Sequence, residues 1–132
     1  MINVTETVDG RRSYVQAEVV PQAFSFGPFR IVPRARLLER DGSRTQVGSR
    51  AFDLLCVLVS RPGEVVGKSE LMAKVWPDLT VEEGCLRFHI SQLRRILGDG
   101  REGAHYVKNV PGRGYCFVAP VGRAASQTFL HA

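Results

Sequence analysis

The stretch Gly84–Leu97 places three guanidinium groups on one side of a single helix. At about 100° per residue from Val81, Gly84, Arg87, Ser91, Arg94 and Arg95 fall between roughly 220° and 320°. Cys85, Leu86, His89, Ile90, Leu93, Ile96 and Leu97 fill the arc from roughly 40° to 180°, with Phe88 and Gln92 on the boundary. Arginine's planar fork holds acceptors in pairs, either two phosphate oxygens or the O6 and N7 of guanine. The Gln92 amide carries the donor and acceptor that an adenine edge requires. Solvated helix faces usually alternate opposite charges at i, i+4. Here only Glu83, one turn before Arg87, offsets three arginines. A face left this positive is completed by an anion, and nucleic acid is the anion that fits; which of these residues meets a base stays open at this level.

A second basic element follows. Tyr106–Val110 and Tyr115–Val118 flank Pro111-Gly112-Arg113-Gly114 and read as a hairpin with a glycine-rich tip. Lys108, Asn109 and Arg113 make it polar and basic. The net charge of +5 is unevenly spread: +2 over residues 1–48, −2 over 49–83, +4 over 84–115 and +1 beyond. Most of the excess therefore lies in one stretch of helix and hairpin, the pattern of an electrostatic footprint.

The rest of the chain supplies what must position these groups. With 132 residues, 44% of them hydrophobic, the composition is that of one globular domain. Phe24 and Phe26 alternate with Ser25, and Phe29 and Ile31 with Arg30, so the first elements are strands. Leu37–Arg40 and Ser43–Val47 flank Asp41-Gly42, a two-residue hairpin loop. Phe52, Leu55, Leu58 and Val59 then mark a helix capped at Ser49 and stopped by Arg61-Pro62-Gly63. Val65-Val66 is a short extended segment. Leu71, Met72, Val75 and Trp76 mark a second helix, opened near Gly67 and ended by Pro77. Thr80-Val81-Glu82-Glu83 has the form of a capping box, which predicts a third helix over about 81–97. The expected organisation is a flexible extension over 1–22, the domain over 23–119 and a flexible tail over 120–132.

Other chemistries find little support. Cys56, Cys85 and Cys116 are odd in number and widely spaced, unlike a disulfide framework or a zinc site. Cys85 and His89 share a helix face but lack a second ligand pair, so the thiols read as buried and inert. His89, His105 and His131 lie on different elements with no neighbouring nucleophile at a catalytic spacing. No phosphate-binding glycine loop or cofactor motif occurs. No run of 18 apolar residues and no secretory h-region occur either, so the expectation is a cytoplasmic protein, not an enzyme, without metal or cofactor.

The motifs together are specific. Glu70-Leu71 with Val75-Trp76, then Val81-Glu82 leading to His89-Ile90, Leu93-Arg94-Arg95 and Leu97, precede Val110-Pro111-Gly112-Arg113-Gly114-Tyr115-Cys116-Phe117. Residues 24–118 resemble the winged-helix DNA-binding domain of OmpR/PhoB-type transcriptional regulators of bacteria. The resemblance implies an α+β fold: an N-terminal four-stranded antiparallel sheet, three helices and a C-terminal hairpin wing. It implies sequence-specific binding of double-stranded DNA, with the third helix in the major groove and the wing, about 106–118, at the adjacent backbone and minor groove. By position, Arg87, Ser91, Gln92 and Arg95 would face bases. Trp76, His89, Arg94, Lys108, Asn109, Arg113 and Tyr115 would lie by the backbone. His89 also falls in the apolar arc, so a packed role competes with a phosphate contact. Pro77, Asp78, Leu79 and Thr80 would form a loop that contacts RNA polymerase in some members, and members often bind tandem sites head to tail.

The chain departs from the family at Gly84, where members often place a polar contact, at Ser91 and Gln92, basic in some members, and at Pro111, where many carry an arginine. The target sequence therefore does not transfer. A phosphorylatable receiver cannot fit before residue 24, so the chain reads as an isolated module or the N-terminal piece of a longer regulator. A winged helix can also bind protein through the same surfaces, which is the rival reading.

Overall fold

The computed structural model describes residues 23–124; the expected N-terminal extension and residues 125–132 of the expected tail lie outside them. The fold described is that of the compact unit Ala23–Gly122.

Strands β1 (Ala23–Phe26), β2 (Phe29–Val32), β3 (Leu37–Arg40) and β4 (Ser43–Arg44) form an antiparallel sheet in the order β4-β3-β2-β1. Period-two patterning sets its faces. Phe24, Phe26, Phe29, Ile31 and Leu38 are buried, while Ser25, Arg30, Glu39 and Arg44 form one cross-strand row. Within that row Arg30 and Glu39 pair at 3.3 Å. Asp41 and Gly42 both take the positive φ that a two-residue hairpin loop demands. The last strand is shorter than its sequence suggests, stopping at Arg44.

Helix α1 (Ser49–Val59) buries Ala51, Phe52, Leu54, Leu55, Leu58 and Val59. Arg36, at the turn before β3, reaches its first turn, donating to Ser49 Oγ at 3.0 Å and pairing with Asp53. Strand β5 (Val65–Gly67) leads into α2 (Lys68–Val75), whose end Arg50 caps by donating to the Val75 carbonyl at 2.6 Å. Helix α3 runs over Glu83–Leu97 and stops at Gly98, which adopts the left-handed conformation at φ 72°. It starts two residues later than the sequence indicates. Glu82 is its N-cap and no side chain caps it; the Glu83 carboxylate turns to Lys68 and Arg87 instead of reaching back to Thr80.

Strands β6 (Val107–Val110) and β7 (Gly114–Phe117) form the expected C-terminal hairpin, and β5 joins them in a sheet ordered β5-β7-β6. The two sheets and three helices share one core. Phe26 meets Phe117 edge-on at 5.0 Å, and Phe29 meets Tyr106 at 5.7 Å. Beyond the hairpin, where a tail is expected, Gly122–Ala124 forms a short strand, β8, whose Gly122 lies beside Ser25 of β1. Among the described residues no helix is long and apolar enough to cross a membrane.

The central strand of the C-terminal sheet depends on Gly114. A Cβ there would lie 2.0 Å from the Val66 carbonyl oxygen, a backbone atom that cannot yield without breaking the β5–β7 pairing. Gly114→Ala is expected to lower unfolding free energy by about 1–3 kcal/mol, the usual cost of overpacking. Urea denaturation measures this, and an unchanged midpoint would show that β5 and β7 can separate freely.

Candidate nucleic-acid interface

Helix α3 is amphipathic in the way its sequence indicates. Leu86, Ile90, Leu93 and Leu97 are at most 2% exposed. Gly84, Arg87, Ser91, Arg94 and Arg95 are exposed, and Gln92 is half-buried at the edge. The inner face is fixed by packing, so the arginine face has one orientation. Phe88 adds an apolar ring to it, 58% exposed.

The electrostatics are only partly balanced. Arg87 pairs with Glu83 at 3.4 Å, but the same carboxylate oxygen also takes Lys68 at 2.7 Å. Lys68 chiefly, and Arg87 after it, hold the Glu83 carboxyl below the usual glutamate range. Arg94 Nε lies 4.0 Å from the buried Asp99. Arg95, Lys108 and Arg113 have no carboxylate partner among the described residues.

The hairpin projects beside this face. Its turn is closed by the Arg113 N–H donating to the Val110 carbonyl at 2.9 Å, with Pro111 second and Gly112 left-handed at φ 73°, the residue pattern of a type II turn. Arg113 is exposed at the tip, and Lys108 and Asn109 are exposed on β6. A groove of about 610 Å³ between the end of α3 and β6 is lined by Arg94, Asp99, His105, Lys108 and Asn109 among others. Two cations from separate elements thus meet in one concavity.

Three expected backbone contacts sit differently. Trp76 and Tyr115 are 4% and 5% exposed, so their rings serve the core rather than the surface. Trp76 lies between Arg50, 5.8 Å above its ring, and the edge of His89. Tyr115 is on the buried central strand of its sheet. His89 is half-buried, its Nδ1 2.9 Å from the Cys85 carbonyl oxygen. A carbonyl only accepts, so Nδ1 carries the proton, and the neutral ring is left with Nε2 as an acceptor. His89 can donate to a phosphate only as the imidazolium.

Burial, with Asp53 adding to it, pushes the Cys56 thiol up to about 12, and Cys116 is buried. Cys85 Sγ is 3.8 Å from His89 Nδ1. No group of three or more histidine, cysteine or acidic side chains is placed to hold a metal among the described residues.

Asp99 is a structural residue that no motif in the sequence singles out. It follows the glycine that ends α3, and its Oδ2 accepts from the backbone amides of Tyr106 at 2.9 Å and Val107 at 2.8 Å. Its own amide donates to the Arg94 carbonyl at 2.9 Å. One carboxylate thereby ties the end of α3 to the start of the hairpin.

The family model described as "Transcriptional regulatory protein, C terminal" matches residues 42–117. The chain belongs to this family. That family is one of transcriptional regulators rather than of enzymes, and the fold is that of OmpR/PhoB-type winged helices, in agreement with the resemblance read from the motifs. The chain is 32% identical over 107 residues to the cholera toxin transcriptional activator of Vibrio cholerae, covering 78% of the chain and 35% of that relative. It is 32% identical over 96 residues to the transcriptional activator CadC of Escherichia coli, covering 72% and 19%. The chain thus spans about a fifth to a third of the length of these curated relatives. The DNA-binding domain of E. coli CadC superposes with a TM-score of 0.70 at 30% identity, over 81% of this chain and all of that one. The Klebsiella pneumoniae RstA DNA-binding domain in complex with the RstA box gives 0.63 at 25% identity, covering 74% and 97%.

If Asp99 fixes the hairpin to α3, Asp99→Ala should destabilise the domain by about 1–3 kcal/mol for each buried amide left without an acceptor. Asp99→Asn, which keeps an acceptor oxygen, should cost less. Hydrogen exchange should show Tyr106 and Val107 losing protection first in the alanine variant; uniform loss across the domain would contradict the tie.

Proposed function

We propose that this chain is the DNA-binding module of a transcriptional regulator, laying α3 in the major groove of a specific duplex and the β6–β7 hairpin on the adjacent backbone and minor groove. The observation that carries the reading is the arginine face of α3, fixed outward by the buried leucines behind it and only partly neutralised from within. A 15-residue helix is about 22 Å long, and a B-form major groove admits it. The A-form groove of RNA does not.

Arg87, Ser91, Gln92 and Arg95 are assigned to base edges. Arg94, Lys108, Asn109 and Arg113 are assigned to the backbone, with His89 joining them when protonated. Trp76 and Tyr115 support those contacts from the core. The module comprises 23–119 and acts in the cytoplasm, where the DNA is. Pro77, Asp78, Leu79 and Thr80 are all exposed, which suits a loop that meets RNA polymerase, and head-to-tail pairing on tandem sites suits the family architecture.

Selection of duplexes from a random pool provides the specific probe. Binding should weaken steeply with salt, log K falling by about 0.9 per phosphate neutralised for each decade of salt. The Arg87→Ala/Arg95→Ala double variant should remain folded and lose its preference for the selected duplex. Arg113→Ala should weaken all duplexes similarly and shallow the salt slope by about 0.9. Undiminished preference in the double variant would refute the helix assignment. A salt-insensitive interaction with protein in place of DNA would favour the interaction-module reading.

A further inference from the structure

At the N-terminal end of α3 the proposed readout leaves one carboxylate unexplained. Glu83 opens the helix, and its Oε2 takes both Lys68 Nζ, at the start of α2, and Arg87 Nη1. The three side chains are 46%, 26% and 62% exposed. Exposed pairs of this kind contribute little to stability, so the cluster calls for another account. A carboxylate on a DNA-facing surface is itself unfavourable, because it repels phosphate.

We propose that Glu83 is a specificity-determining positioning residue, holding Arg87 for a base edge while withholding Arg87 and Lys68 from indiscriminate phosphate binding. This rests on the proposed DNA-binding function. Non-specific affinity is set by the number of phosphates that cations neutralise. A carboxylate shared by two cations removes them from that number wherever the protein lands. A guanine edge is uncharged, so Glu83 does not repel it, and Arg87 retains Nη2 and Nε as donors after Nη1 is engaged.

Gly84 fits the same arrangement. A Cβ at Gly84 would lie 3.6 Å from Arg87 Nη2, so the guanidinium runs back over bare backbone toward the start of the helix. That is the end from which recognition helices of this kind contact base edges.

The test uses the full chain, a duplex selected from a random pool and a scrambled duplex of equal length, across a salt series. Glu83→Gln should bind the scrambled duplex more tightly, with a salt slope steeper by about 0.9 to 1.8 as one or two cations become available. The ratio of selected to scrambled affinity should fall by about fivefold or more, like-charge exclusion and register being lost together. Its thermal midpoint should stay close to that of the parent chain. Lys68→Met should leave the slope on the scrambled duplex unchanged. Equal weakening of both duplexes by Glu83→Gln, or an unaltered ratio, would overturn the proposal, as would a slope shallower by about 0.9 in Lys68→Met. Failure of the parent chain to bind any duplex would instead sink the function on which the proposal rests.

Discussion

Everything at this surface depends on the burial of one side of α3. Leu86, Ile90, Leu93 and Leu97 are closed into the core, and each such side chain contributes roughly 1.5–3 kcal/mol relative to exposure. Rolling the helix to turn an arginine inward would expose those four aliphatic side chains and desolvate a guanidinium. The outward direction of the face that carries Arg87, Arg94 and Arg95 is thus set by hydrophobic packing. Ion pairing acts only afterwards, on where the Arg87 guanidinium rests within that face.

The hairpin is positioned by different means. Its inner side chains, Val107, Tyr115 and Phe117, join the core, and backbone geometry sets its register and its tip. Gly114 lets β7 lie against Val66, the type II turn presents Arg113, and Asp99 binds the entry to β6 to the exit from α3. A rigid rod and a rooted hairpin present cations from two directions across one groove.

Much of this could be read from the residues in order. Periodicity is local, so the strands around Phe24–Ile31, the Asp41-Gly42 loop and the two faces of α3 were visible without coordinates. The capping box failed because two motifs competed for Glu83. Its spacing from Thr80 suggests a cap, but Lys68, fifteen residues earlier, offers a charged partner that no local window reveals. Asp99 was hidden for the same reason, since its acceptors' partners lie seven and eight residues away across a turn. Trp76 and Tyr115 match backbone-contact positions of the family, and their burial depends on packing that position alone does not encode. The strand at Gly122–Ala124 has no periodic signal at three residues.

The aromatic contacts between the two sheets bear on where an autonomously folding piece could be cut. The matched family region starts at residue 42, downstream of β1, β2 and β3. Yet Phe26 and Phe29 cover Phe117 and Tyr106, so a truncation at that boundary would strip the rings from beneath the hairpin. The stretch that identifies the lineage is shorter than the stretch that must fold.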